Sequence, residues 1–305
     1  MKYRLLLSFI FLLAIKNVDA QSTPSVVVSI KPIHSIVTTL MTGIAEPKLL
    51  LKSSNSAHTF HLKPSQVRMI ANADLVIIIS EDFESGLRKA IKNIENDSLF
   101  QITSLGNLNI HKSRSEILYS KEHEEHEEHE EHEESIYDLH LWLDINNTKL
   151  IAKHISELLI KIDPINEDKY NNNFLELMLD LEELKIDLKK EIAPFLNRQF
   201  AVFSDTTQYF EKSMNFLRPI IITPYHGARL SIIRTLMAKE AMSDLSVSCL
   251  LYGQEAKPNQ ISVLLEGLSL KTFEIDIMGT KYPAGPDQYF NLMKRISSQL
   301  ASCLK

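Results

Sequence analysis

The sequence predicts an α/β protein of two similar lobes, each with a mainly parallel sheet, joined by one long helix. Two observations carry this expectation. Short β-branched runs, namely Val26 to Ile30, Leu75 to Ile79, Phe200 to Phe203, Ile220 to Thr223 and Val247 to Leu251, alternate with helical stretches. Such alternation places parallel strands beneath covering helices. The runs fall into two groups, on either side of a region from Ile165 to Leu196. Within it Tyr170, Phe174, Leu177, Leu181, Leu184, Leu188 and Ile192 recur at spacings of three and four, which draws one apolar stripe along a helix.

Residues 1–20 open the chain. Lys2 and Arg4 precede an apolar run from Leu5 to Ile15, and the small residue Ala20 closes the segment. This is the pattern of a cleaved secretory signal peptide, and the run is shorter than the ~20 apolar residues that span a bilayer. No Cys lies near the cleavage region, so a lipid anchor there is not expected.

The N-terminal lobe is expected over residues 21–163, with a low-complexity insert at residues 121–134. That insert, KEHEEHEEHEEHEE, sets His123, His126, His129 and His132 among nine Glu and has no apolar residue. It cannot bury a core. Steps of three residues turn ~300° on a helix, so its imidazoles would not share one face, and it reads as a loop. Residues 164–196 form the connecting helix, with Pro164 before it and Pro194 near its end. A helix of about 28 residues is ~42 Å long, enough to run the length of two adjoining lobes. A coiled coil would need a partner chain, whereas the α/β segments on both sides offer a surface for the stripe. The C-terminal lobe takes residues 197–305.

Without Lys2, Arg4, Lys16 and Asp19 of the leader, the 33 basic and 39 acidic residues become 30 and 38, a formal charge of −8. Nucleic acid is an improbable partner for such a surface. Cys249 and Cys303 are the 2 cysteines, and an oxidising compartment lets the pair persist as a disulfide. The alternative is two free buried thiols. Zinc ligation by the pair is disfavoured because neither belongs to a closely spaced Cys/His cluster.

Three residues stand out for chemistry. His58, in SAHTFHLKPSQVRMIANADLVIII, lies on a loop leading to a helix near Pro64 and then to a strand, where α/β folds place ligands. Taken alone, His58 or His61 is better explained as a satisfied surface or core imidazole than as a ligand. His140, in YDLHLWLD, falls in an alternating segment that sets Leu139, Leu141 and Leu143 on one face and His140, Trp142 and Asp144 on the other. It is either a ligand or a packed, hydrogen-bonded His. Asp276, in FEIDIMG, needs a cation or donors to offset its desolvation, and backbone N–H groups at a strand end would serve. The remaining imidazoles, His34, His111, His154 and His226, read as structural or solvated.

The order of these features resembles the ZnuA-type zinc-binding periplasmic proteins, within the larger family of metal-binding lipoproteins and adhesins. The likeness runs over nearly the whole mature chain. It rests on His58 to Gln66, on Ile70 to Ile79, on the acidic His-rich loop leading into Asp138, His140 and Trp142, and on Asp276 before Gly279, with Cys249 and Cys303 near the end. The resemblance implies metal ligation by His58 and His140, with Asp276 at or near the metal, in a cleft between the lobes. One position departs from the pattern. Where such proteins carry a further His before an Asp-rich turn and a Tyr-Phe pair, this chain has Ser204, followed by Asp205, Tyr209 and Phe210. A neutral hydroxyl is a poor zinc ligand, so water, His61, Asp205 or Ser204 through water must complete the shell.

The implied function is capture of Zn2+ in the periplasm and delivery to an inner-membrane ABC permease, by a monomer. Neutral imidazoles with one carboxylate suit zinc; Mn2+ or Fe2+ is the runner-up cargo. A free-standing zinc buffer, with the weak loop site of His123, His126, His129 and His132 as its main element, is the other class. No H-E-x-x-H pattern and no G-x-S-x-G elbow is present, so no enzyme is expected.

Overall fold

The computed structural model describes residues 23–51, 57, 58, 60–92, 94–114, 137–224 and 230–305. The expected signal peptide, the loop at 121–134 with its imidazoles, and His226 lie outside the described residues. In the N-terminal lobe β1 (Val26–Val28), α1 (Lys31–Leu40), β2 (Lys48–Leu49), α2 (Pro64–Ala71), β3 (Leu75–Ile78), α3 (Arg88–Ile91) and β4 (Leu99–Gln101) follow one another. The strands pair in the order β2-β1-β3-β4, all parallel. β1 and β3 are buried at every position, which is why both read as unbroken apolar runs.

The chain then makes a small antiparallel pair, β5 (His111–Lys112) and β6 (Tyr137–Asp138), with His111 opposite Asp138. Helices α4 (Ile145–Ile162) and α5 (Glu167–Ile192) come next. The Asp144 carboxylate caps α4, accepting from the Asn146 amide at 2.8 Å. The 26 residues of α5 make a rod of about 39 Å. Tyr170, Leu177, Leu181, Leu184, Leu188 and Ile192 are its buried stripe, with Phe174 partly buried beside them.

In the C-terminal lobe β7 (Ala201–Ser204), α6 (Gln208–Met214), β8 (Ile220–Thr223), α7 (Ile232–Asp244), β9 (Cys249–Tyr252), α8 (Pro258–Leu265) and β10 (Lys271–Glu274) give a parallel sheet in the order β10-β9-β7-β8. The last helix, α9 (Gln288–Leu304), packs on α5, on β9 and β10, and on α1 of the other lobe. Cys249 of β9 and Cys303 of α9 form the disulfide, with Cα atoms 5.5 Å apart. One core cluster runs without a break from Val26 to Leu304 through the α5 stripe, and a smaller one fills the C-terminal sheet. No helix among the described residues is long and apolar enough to cross a membrane.

The expected alternation in YDLHLWLD is not what forms. The strand ends at Asp138, Leu141–Leu143 make a tight turn, and Leu139 through Asp144 are all buried. The cause is local: Asp138 Oδ1 accepts from both the amide and the ring of His140, at 3.0 and 2.7 Å, which curls the backbone out of the ladder.

Candidate metal centre

His58 and His140 come from segments 82 residues apart and meet face to edge, with ring centroids at 6.1 Å. A nitrogen-bound zinc lies about 3.2 Å from the centre of the ring that holds it, so two imidazoles on one tetrahedral ion stand about 5 Å apart. Closing the observed gap takes about 1 Å of ring movement on that geometry. Phe83 packs against both rings, at 4.5 Å from His58 and 5.6 Å from His140, and Trp142 lies 5.4 Å from His140. The pair thus sits in an aromatic wall, which lowers the local dielectric and strengthens attraction to an ion.

Each histidine has its own support, His58 at its backbone and His140 at its ring. The His58 carbonyl accepts from Ser85 Oγ at 2.7 Å. His140 gives Nδ1 to Asp138, an arrangement that assigns the proton to Nδ1 and presents Nε2 as the coordinating atom. Asp138 is itself gripped from the C-terminal lobe: Tyr209 donates its hydroxyl to the Asp138 carbonyl at 2.7 Å, and Gln208 Nε2 reaches Asp138 Oδ2 at 3.5 Å.

Asp276 stands just past β10, not within it, and is partly buried. Its Oδ1 accepts from the Met278 amide at 3.0 Å, and its Oδ2 accepts from the Thr280 amide and hydroxyl at 2.6 and 2.8 Å. The strand-end alternative foreseen for this carboxylate is therefore realised. Gly279 makes the turn feasible: its φ is +62°, and a Cβ there would stand 2.3 Å from Gln288 Nε2. The N-terminal lobe holds this turn, through Lys31 Nζ on the Thr280 and Tyr282 carbonyls at 3.0 Å and through Trp142 Nε1 on the Ile277 carbonyl at 2.9 Å. Among the described residues, no three His, Cys, Asp or Glu side chains already converge on one point. His58 and His140 are brought together, and Asp276 is occupied with its own turn.

The other candidates fall elsewhere. His61 is exposed ahead of α2. Ser204 is buried at the end of β7, its hydroxyl 3.1 Å from that of Thr223, which in turn donates to the Phe203 carbonyl. Asp205 is buried and clasped by Arg114, whose Nε lies 3.0 and 3.1 Å from its two oxygens and whose Nη2 lies 2.5 Å from Oδ1. His111 is in β5 and packs on the Tyr209 ring at 4.8 Å. His34 is structural, bonded to the Pro47 carbonyl at 3.0 Å.

Several buried charges escaped sequence reasoning, among them Arg114, Glu211 and Glu84. Arg114 bridges Asp205 and Glu211, the latter at 2.7 Å. Glu84 is fully buried and accepts from Ser29 Oγ at 2.5 Å and from the Ile79 and Ser80 amides at 3.1 and 3.0 Å. Burial pushes its carboxyl up to about 7 against those donors. An acidic residue beside Phe83 was the only sequence signal for it.

Two sheet-based lobes strapped by a long helix thus bring two imidazoles together at the loops after the strands. Residues 26–303 match the family model described as zinc-uptake complex component A, periplasmic, and the chain belongs to that family. It is the periplasmic zinc-binding component of a zinc-uptake system. Among curated relatives, the high-affinity zinc uptake system protein ZnuA of Brucella abortus (strain 2308) is 28% identical over 311 residues, spanning 92% of this chain and 91% of its own length. The protein of the same name from Yersinia pestis is 25% identical and spans 93% and 92%. A crystal structure of ZnuA covers 93% of this chain and 100% of its own, with a TM-score of 0.75 at 19% identity. The periplasmic zinc binding protein TroA from Treponema pallidum covers 93% and 99%, with a TM-score of 0.75 at 14% identity.

Proposed function

We propose that His58, His140, Asp276 and one water hold a single Zn2+, and that the protein, exported by the segment at 1–20, delivers it as a monomer to an inner-membrane ABC permease. The observation that supports this most is the meeting of the two imidazoles at 6.1 Å, one of them with its Nδ1 already committed to a carboxylate. A carboxylate has about four lone-pair sites, and the turn donors use three of those on Asp276. One site on Oδ1 is left for the ion. Water is favoured as the fourth ligand because Ser204 and Asp205 are engaged by Thr223 and Arg114. The reading contains no catalytic step. His123, His126, His129 and His132 would serve only as a weak collecting site, dependent on neutral imidazoles.

The test is equilibrium zinc titration of the exported form. His58→Ala and His140→Ala should each weaken binding at least a hundredfold, about 2.7 kcal/mol. Zinc affinity unchanged in either variant would sink the assignment.

A further inference from the structure

We infer that Glu84 is a positioning residue for the two imidazoles, anchoring the turn that holds both of them. The inference rests on the site proposed above and concerns a side chain that is not among its ligands. Glu84 lies in the turn that follows β3 and is fully buried. Its Oε1 accepts from Ser29 Oγ at 2.5 Å and from the Ile79 amide at 3.1 Å, and its Oε2 accepts from the Ser80 amide at 3.0 Å. Ser29 is the residue after β1, and Ile79 and Ser80 are those after β3. One carboxyl therefore pins the turn to the ends of the two central strands of the N-terminal sheet. The backbone closes the same turn, with the Glu84 amide on the Ser80 carbonyl at 3.0 Å and the Phe83 amide on Ser80 Oγ at 3.1 Å.

The neighbours of Glu84 are the residues that meet the histidines. Phe83 packs on the His58 ring at 4.5 Å, on His140 at 5.6 Å and on Trp142 at 5.6 Å. Ser85 Oγ donates to the His58 carbonyl at 2.7 Å. Gly86 comes so close to the chain after His58 that a Cβ on it would stand 2.2 Å from the Phe60 carbonyl oxygen. The turn thus faces two ways, Glu84 into the sheet and its neighbours toward the loop of His58 and the ring of His140. Through it both rings are referred to the strand ends.

A buried carboxyl is a costly way to fill space, and a well-packed apolar side chain in place of a buried charged group is often neutral or stabilising. What the acid supplies is direction. With three donors fixed on two strands, the turn has one place to sit. A role confined to stability predicts something different, because apparent affinity falls only with the fraction of protein that is competent to bind. Lost stability that leaves the chain folded leaves zinc affinity as it was, whereas displaced rings do not.

Glu84→Ala in the exported form should weaken zinc binding about tenfold or more, as removal of groups that orient ligands does, under conditions where a urea titration shows the protein folded. The ligand-field absorption of the Co2+-loaded variant should be displaced from the parent's, because it follows the geometry of the shell. Leu264→Ala, in the separate C-terminal core, is the destabilised control and should keep the parent's affinity and cobalt spectrum. Zinc affinity within about twofold of the parent in folded Glu84→Ala, an unmoved cobalt spectrum, or equal changes in Leu264→Ala overturn the inference. Should Glu84→Ala fail to fold, Glu84→Gln takes its place. Each carboxyl oxygen faces a backbone N–H, so a glutamine must turn its NH2 toward one of them, and zinc binding about threefold weaker with a displaced cobalt spectrum is expected; parent values overturn the inference. His58→Ala and His140→Ala run alongside keep the two readings apart. Undiminished zinc binding in them fails the site itself, whereas loss there with parent affinity in the Glu84 variants fails only the role of Glu84.

Discussion

The two sides of the cleft use their polar groups in opposite ways. On the N-terminal side, His58 and His140 lean on Phe83 and Trp142, and His140 spends one nitrogen on Asp138. Its Nε2 makes no hydrogen bond among the described residues. On the C-terminal side, Ser204, Asp205 and Glu211 are tied to Thr223, Arg114 and Thr207. In the proposed site the free Nε2 of His140 offers a place for cargo, while the denser charge around Arg114 is paired within itself.

The largest effect should fall on the C-terminal side and on stability, not binding. The disulfide closes a separation of 54 residues, worth about 4 kcal/mol on the loop-entropy model. Cys249→Ser with Cys303→Ser should lower the unfolding free energy by that order in a denaturant titration while zinc affinity stays within threefold. Equal losses in both would erase the contrast between the two sides. Next in size is the support of His140. Asp138→Asn leaves the ring in place but removes the charge that orients it, and should cost 10- to 100-fold in zinc affinity, the usual range for such partners.

A smaller change sharpens the comparison from the deficient side. Ser204→His should tighten zinc binding about tenfold, ~1.4 kcal/mol, by offering a third imidazole, while Ser204→Ala and exposed His61→Ala should matter little. If His61→Ala abolished binding instead, His61 would be the missing ligand and water would not. The last effect is a slope. Glu84, with its carboxyl raised to about 7 in the fold from 4.5, binds more protons folded than unfolded between those values. Stability contributed by the neutral form is therefore present at low pH and declines as pH rises from about 4.5 through about 7. Thermal midpoints of Glu84→Gln across that window should lose this component, and an identical pH profile would refute it.

Much of the fold was legible because it repeats. The α5 stripe keeps one period over 26 residues, and the strands β1, β3, β7, β8 and β9 are buried runs of apolar residues broken only at the ends of β7 and β8, by Ser204 and Thr223, and by the partly buried Tyr252 of β9. β2 and β10 were not legible: one has two residues, and the other is an edge strand, KTFE, with no fully buried position. His58 and His140 stood out as imidazoles beside apolar runs. Arg114 did not, since its partners lie 91 and 97 residues away and nothing near HKSRSE marks a charge as buried. The shape of LHLWLD misled for a related reason, because an aspartate two residues upstream bends the chain by a bond that periodicity cannot register.

The route of α9 bears on how fast cargo can come and go. This helix lies along α5, ends in the disulfide to β9, and begins beside α1, where the Tyr289 amide donates to Ser35 Oγ at 3.0 Å. The lobes are therefore strapped twice, and the turn bearing Asp276 is pinned by Lys31 from across the cleft. A frame braced in this way opens by local rearrangement rather than by a wide hinge. Capture then has little of the chain to reorganise and runs at the pace at which an aquated ion sheds its water. Departure from the proposed site would have no wide opening to exploit, so zinc held there would stay long until a partner deformed the frame.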